Sequence, residues 1–161
     1  MTIWFPRRWQ RPSATIGFIF ERRSVNLALM DSKKLALLCR ELADNKKAED
    51  IVVLDVRKLS SVTDYFLIAS GTSSPHLRAI VNEITDKLRS DEEIRPRAMD
   101  GNLNGDWVVL DYFDVIIHVM RTEARTRYDL EGLWGDAPQL KTKSPAPVKV
   151  AKKTAKRTTG R

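Results

Sequence analysis

The chain is poor in the residues that build covalent and metal cross-links. It has one cysteine, Cys39, in 161 residues, which rules out an intramolecular disulfide and a cysteine-based metal cluster. That usage suits a reducing cytosol. It has two histidines, His76 and His118, too far apart in sequence to argue for a zinc site without thiolates. No apolar run reaches the ~18 residues of a membrane span, and no uninterrupted apolar segment marks a secretory signal. Nucleotide signatures are missing as well. The small-residue segment Ser70-Gly71-Thr72-Ser73-Ser74 lacks a Walker lysine and is not G-x-G-x-x-G. No Ser-His-Asp or Cys-His set can be assigned from spacing.

Acidic residues are absent from 141–161, and that absence redistributes the charge. The chain carries a formal +7. Residues 1–30 hold five Arg and one Glu, and residues 141–161 hold eight Lys/Arg and no acid, so 31–140 is left at −5. A sequence pI near 9.7 would suggest a nucleic-acid-binding domain. Here the basic character belongs to the ends. The body should prefer a basic partner surface, while the tails have the charge to touch RNA phosphate.

This divides the chain into a basic extension over 1–30, a body over 31–138 and a Lys-rich tail over 139–161. The tail has no apolar periodicity and is expected to stay disordered. Three readings stay open for 1–30: an over-called reading frame with the true start at Met30, an Arg-rich organelle transit peptide, or a basic arm on RNA. Trp4, Pro6, Trp9 and Pro12 interrupt any helical period in it.

The body reads as an α/β unit. Asp31 or Ser32 caps a helix that carries Leu35, Leu38, Cys39 and Leu42 on one face. Cys39 there is a small core hydrophobe. Ile51–Val56 is a continuous apolar run and predicts a central strand. Tyr65–Ala69 predicts a second buried strand. Pro75 fits the first position of a helix capped by Ser73 or Ser74, with Leu77, Ile80, Val81, Ile84 and Leu88 as its stripe. Ile94–Met99 contains Pro96 and predicts an edge strand. Trp107–Phe113 and Val115–Met120 predict a strand pair turning at Asp114, followed by a short helix within 125–134. The expected fold is a mixed sheet of about five strands with helices packed on it.

Tyr128, Leu130, Glu131 and Trp134 are too dense in aromatic and acidic groups for an ordinary exit loop, and look like a docking face. The same region carries a family pattern. Gly105-Asp106-Trp107, Leu110-Asp111-Tyr112, His118-Val119, Arg127-Tyr128-Asp129-Leu130-Glu131 and Leu133-Trp134 follow Ser60-Ser61, Thr63-Asp64-Tyr65-Phe66, Ser70–Ser74 and His76 in order. Over roughly Leu35 to Ala137 the chain resembles the Iojap family of ribosomal silencing factors.

The resemblance implies a nucleotidyltransferase-like topology without the activity, since no D-x-D follows the helix. Asp111 and Asp114, three apart, do not share a strand face, as a two-metal site would need. It implies no cofactor, no metal and no membrane contact. It also implies docking on the large ribosomal subunit through its fourteenth ribosomal protein, so that the small subunit is kept from joining and translation is repressed under nutrient limitation. Relatives in organelles assist large-subunit assembly, and relatives self-associate, so a homodimer is open to this chain. The implied compartment is the bacterial cytoplasm, with an organelle matrix as the alternative. The contact residues expected on this basis are Trp107, Leu110, Asp111, Tyr112, His118, Tyr128, Leu130 and Glu131, with Asp111 and Glu131 meeting Lys/Arg of the partner. Trp107 is the implied aromatic anchor; His118 and Trp134 are each open to either a surface or a core role. Two readings compete with this one: a nucleotidyltransferase-like enzyme working at the Gly71–Ser74 turn, and a nucleic-acid binder driven by its tails.

Overall fold

A computed structural model describes residues 30–140. Of the basic extension only Met30, and of the tail only Gln139 and Leu140, are described; the rest of both lies outside the described residues. In chain order the elements are α1 (Ser32–Asn45), β1 (Glu49–Asp55), β2 (Tyr65–Gly71), α2 (Ser74–Asp91), β3 (Ala98–Gly101), β4 (Trp107–Asp111), β5 (Val115–Arg121), α3 (Thr122–Tyr128) and α4 (Leu130–Leu133). The strands form one five-stranded mixed sheet in the order β1-β2-β5-β4-β3. Only β2 and β5 are parallel; the other neighbours are antiparallel. A parallel pair needs a long crossover, and here it runs through α2 and then β3 and β4.

Both long helices start where their caps dictate. Asp31 accepts the amide of Lys34 at the head of α1, and Ser73 accepts the amide of His76 at the head of α2, with Pro75 in the first turn. Each cap satisfies one of the orphan donors of a helix start. The stripe Leu35, Ala36, Cys39, Leu42, Ala43 of α1 and the stripe Leu77, Ile80, Val81, Ile84, Leu88 of α2 are buried. They lie on the face of the sheet that presents Val53, Tyr65, Leu67, Ala69, Val108, Leu110, Val115, Ile117 and Val119.

Alternation along the strands sends Leu54, Phe66, Ile68, Ile116 and Met120 to the other face, with Trp107 and Val109 partly buried among them. Among the described residues that face has no long helix. It is covered by the short α3 and α4 and by the segment through Ala137. The mixed sheet and its long helices are those expected from the sequence, while the short helix expected within 125–134 starts at Thr122 and is split at Asp129 into α3 and α4; three strands also shift in detail. The apolar run at 51–56 forms an edge strand rather than a central one. Its outer side is occupied by residues 138–140: the Asp55 amide donates to the Pro138 carbonyl (2.9 Å), the Leu140 amide donates to the Val53 carbonyl (2.8 Å), and Leu54 bridges to Gln139. The strand beginning at Trp107 stops at Asp111, because Phe113 adopts φ 65° in the turn and its amide folds back onto the Asp111 carboxylate (2.8 Å). The third strand starts at Ala98, beyond Pro96.

Gly101 and Gly132 are required by geometry. Gly101 has φ +96°, and a Cβ there would lie 2.3 Å from the Trp107 carbonyl oxygen. A Cβ on Gly132 would meet the Asp129 carboxylate at 2.1 Å, because Asp129, in the left-handed region between α3 and α4, folds its side chain over to accept the Gly132 amide (3.1 Å).

Candidate functional site: an aromatic face on the open side of the sheet

The face opposite the long helices carries a connected set of rings. Trp107 at the start of β4 is half-buried. Its ring lies 5.7 Å from His118 on β5 and 4.8 Å from Tyr128 on α3, tilted by about 45° in both cases. Phe66 on β2 lies 5.5 Å from His118 and 5.1 Å from Trp134. Tilted rings at these separations attract through their quadrupoles beyond simple burial. Strand register makes the set: His118 faces Val109 across β4 and Ile68 across β2, so Trp107 and Phe66 flank it.

His118 is the polar centre of this cluster. The indole Nε1–H of Trp107 donates to His118 Nδ1 at 3.3 Å. An indole nitrogen only donates, so Nδ1 must carry a lone pair and the imidazole is neutral. Burial among Phe66, Ile68 and Trp107 disfavours the charged ring and pulls its pKa down from 6.5 to about 4. His118 is therefore both a buried histidine and the group that sets the angle of Trp107.

The exposed part of the face lies along its rim. Tyr128 is 47% exposed and Leu133 49% exposed, while Leu130 and Trp134 pack partly against the buried cluster. The carboxylates of Asp106 and Glu123 are exposed beside them, 3.3 and 3.4 Å from the two ends of the Arg121 guanidinium.

The expected contact residues therefore divide. Trp107, His118, Tyr128 and Leu130 share this face. Leu110 and Tyr112 do not: both are fully buried under the helices, so neither can touch a partner of the folded protein. Leu110 stands three residues from Trp107, which on a strand means the opposite face. Tyr112 turns inward with it, and burial raises the pKa of its phenol well above 10. Asp111 is buried (4% exposed) and already engaged, by the Phe113 amide and, at 4.0 Å, by Arg97. Glu131, with its side chain 26% exposed, is tied to the protein's own Arg125, its Oε1 accepting Nε at 2.7 Å. Asp111 therefore has no free face for a basic partner and Glu131 only part of one; Asp106 and Glu123, each paired with Arg121, are the more exposed carboxylates. Phe66 and Ser70 belong to the family pattern and Arg125 opens the 125–134 segment, but none of the three is expected from the sequence as part of this face. Phe66 was legible from strand alternation; the other two meet from 55 positions apart, and no local pattern announces them.

The Gly71–Ser74 turn is closed upon itself. The His76 and Leu77 amides go to Ser73, the Thr72 amide goes to His76 Nδ1 (3.1 Å), and His76 Nε2 bonds the Lys46 carbonyl (2.8 Å) across to α1. The donors that a phosphate would require serve the cap, and His76 is a locally bonded tie between the helices. A groove of about 310 Å³ lies elsewhere, between α2 and β3, lined by Val81, Thr85, Arg89, Arg95, Met99 and Leu103 among others.

Fold and surface together define a small α/β domain, helix-covered on one side of its sheet and aromatic on the other. The family model described as "Ribosomal silencing factor during starvation" matches residues 29–161, and the chain belongs to that family. It is 42% identical over 109 residues to the ribosomal silencing factor RsfS of Bacillus subtilis, covering 68% of this chain and 92% of that one. It is 37% identical over 112 residues to the mouse protein "mitochondrial assembly of ribosomal large subunit protein 1", covering 66% of this chain and 46% of the mouse protein. Among solved structures, a protein from Chromobacterium violaceum superposes with a TM-score of 0.63 at 32% identity, over 76% of this chain and 98% of the other. No helix among the described residues is long and apolar enough to cross a membrane.

Proposed function

We propose that this chain represses translation without chemistry: it docks on the large ribosomal subunit through the Trp107 face, on that subunit's fourteenth ribosomal protein, and occupies space the small subunit needs. The observation that carries this reading is the half-exposed Trp107–Tyr128 pair on a sheet whose other face is closed by helices. Amphipathic aromatics in a rigid setting are the groups that dominate binding energy at protein interfaces. A stable interface of about 1,200–2,000 Å² is within reach of one face of this domain. Exposed Asp106 and Glu123 beside the pair, on a body of charge −5, favour a partner patch with Lys and Arg around an apolar socket. The eight basic side chains of 141–161 add salt-sensitive contact with ribosomal RNA. The family description and the B. subtilis relative support silencing, in the cytoplasm of a bacterium.

The test is co-sedimentation of the full chain with purified large subunits. Trp107→Ala is expected to cost about 2 kcal/mol or more of docking free energy, the hot-spot scale, or about 30-fold in Kd, with its circular dichroism unchanged. Undiminished co-sedimentation would remove the anchor. A second reading, help in assembling the large subunit, rests on the name of the mouse relative. It predicts that the chain co-sediments with immature large particles in preference to mature ones.

A further inference from the structure

The two short helices that frame Trp107 have little to hold them in place. In α3 only Ala124 is buried, and in α4 no residue is. Helices of seven and four residues are far below the length that is stable without tertiary support. Besides the packing of Ala124, Leu130 and Tyr128, the polar support that links them to the sheet comes from one side chain. Arg125 of α3 donates from Nη1 to Ser70 Oγ on β2 at 2.8 Å, and from Nε to Glu131 Oε1 on α4 at 2.7 Å; Nη2 reaches the same carboxylate oxygen. The Arg125 side chain is 12% exposed, the Glu131 side chain 26%, and Ser70 is 1% exposed. One guanidinium thus joins a central strand to both helices, using the forked donor geometry that lysine lacks. One turn further along α3, Tyr128 lies on Trp107. The helix is pinned to β2 at Arg125 and leans on β4 at Tyr128.

We propose that Arg125 is a positioning residue of the docking face: by tying α3 and α4 to Ser70 it holds the Tyr128 ring over Trp107 before a partner arrives. This rests on the docking function proposed above. The clamp touches no partner itself. It removes the ordering cost that binding would otherwise carry.

Full-length protein, Arg125→Gln, Ser70→Ala, Tyr128→Ala, Trp107→Ala and the double variant Arg125→Gln/Tyr128→Ala would be titrated against purified large subunits. Hydrogen exchange of the α3 and α4 amides would be followed in parallel. Arg125→Gln is expected to raise Kd about tenfold and to speed exchange in 122–133 while α1 and α2 stay protected. Ser70→Ala, a smaller change, should move both readouts in the same direction, and it stands in if Arg125→Gln does not fold. Against the Tyr128→Ala background the Arg125 effect on Kd should largely disappear, since there is no ring left to position. If the effect persists in full there, Arg125 acts by direct contact or through the whole fold, and the proposal falls. If Trp107→Ala loses binding while Arg125→Gln and Ser70→Ala bind as the parent does, the proposal falls and the docking reading stands. If Trp107→Ala itself binds normally, the docking reading fails and takes the proposal with it.

Discussion

Acid should loosen this domain through His118. The side chain titrates near 4 in the folded protein and near 6.5 when exposed. A histidine with a depressed folded pKa favours folding while it is neutral. That contribution is complete above pH 6.5 and is lost as pH falls from 6.5 toward 4, where the unfolded chain binds a proton and the folded one does not. Between pH 7 and pH 5 the linkage amounts to about 2 kcal/mol, a sizeable part of a small domain's stability. The hydrogen bond gives the same sign: a protonated Nδ1 cannot accept the Trp107 indole N–H, so charging the ring breaks the contact seen at 3.3 Å. Urea unfolding at the two pH values measures the loss. His118→Gln keeps an acceptor and cannot titrate, and so reports the background from carboxylates. The parent protein should lose about 2 kcal/mol more than His118→Gln between pH 7 and pH 5. Equal losses in the two proteins would show that His118 is not held neutral by burial, and the account of this cluster would fail.

Three further outcomes follow from particular residues. Cys39 is fully buried and its thiol is pushed up to about 12, so at pH 8 it should resist a thiol reagent such as 5,5′-dithiobis(2-nitrobenzoic acid) in the native protein and react promptly in urea. Gly101→Ala should destabilise the domain by about 1–3 kcal/mol, read as a lower urea midpoint, because the new methyl would press on the Trp107 carbonyl from a positive-φ position. Removing 141–161 should flatten the salt dependence of large-subunit binding while leaving tight binding at high salt, since phosphate contacts are what counterion release reports; an unchanged slope would exclude the tail from the interface.

Most of the body was legible because its local signals agree with one another. Asp31 and Ser73 announced the helix starts, the stripes of α1 and α2 gave their buried faces, and the β-branched runs gave β2 and β5. Edge and centre could not be told apart. A continuous apolar run such as Ile51–Val56 reads as central, yet β1 is an edge strand kept from water by residues 138–140, a contact some 85 positions away in sequence. The site was legible in half. Trp107, Tyr128 and Leu130 face out of the sheet's open side as a docking surface would require. Leu110 and Tyr112 were grouped with them by the family pattern, although parity along the strand separates them. Asp111 and Glu131 were read as free carboxylates, and only the fold reveals their partners. Arg125, between Arg121 and Arg127, looks in sequence like one more surface cation.

The strip of chain at 137–140 does more than finish the fold. A sheet margin with unpaired amides invites a neighbouring molecule to add a strand. Here the amide of Asp55 and the carbonyl of Val53 on that margin are consumed by the protein's own last described residues. A shortened version that stopped at Asp136 would keep every ring of the aromatic face and still expose a sticky border, so clumping in such a preparation would report a lost guard rail rather than a native dimer.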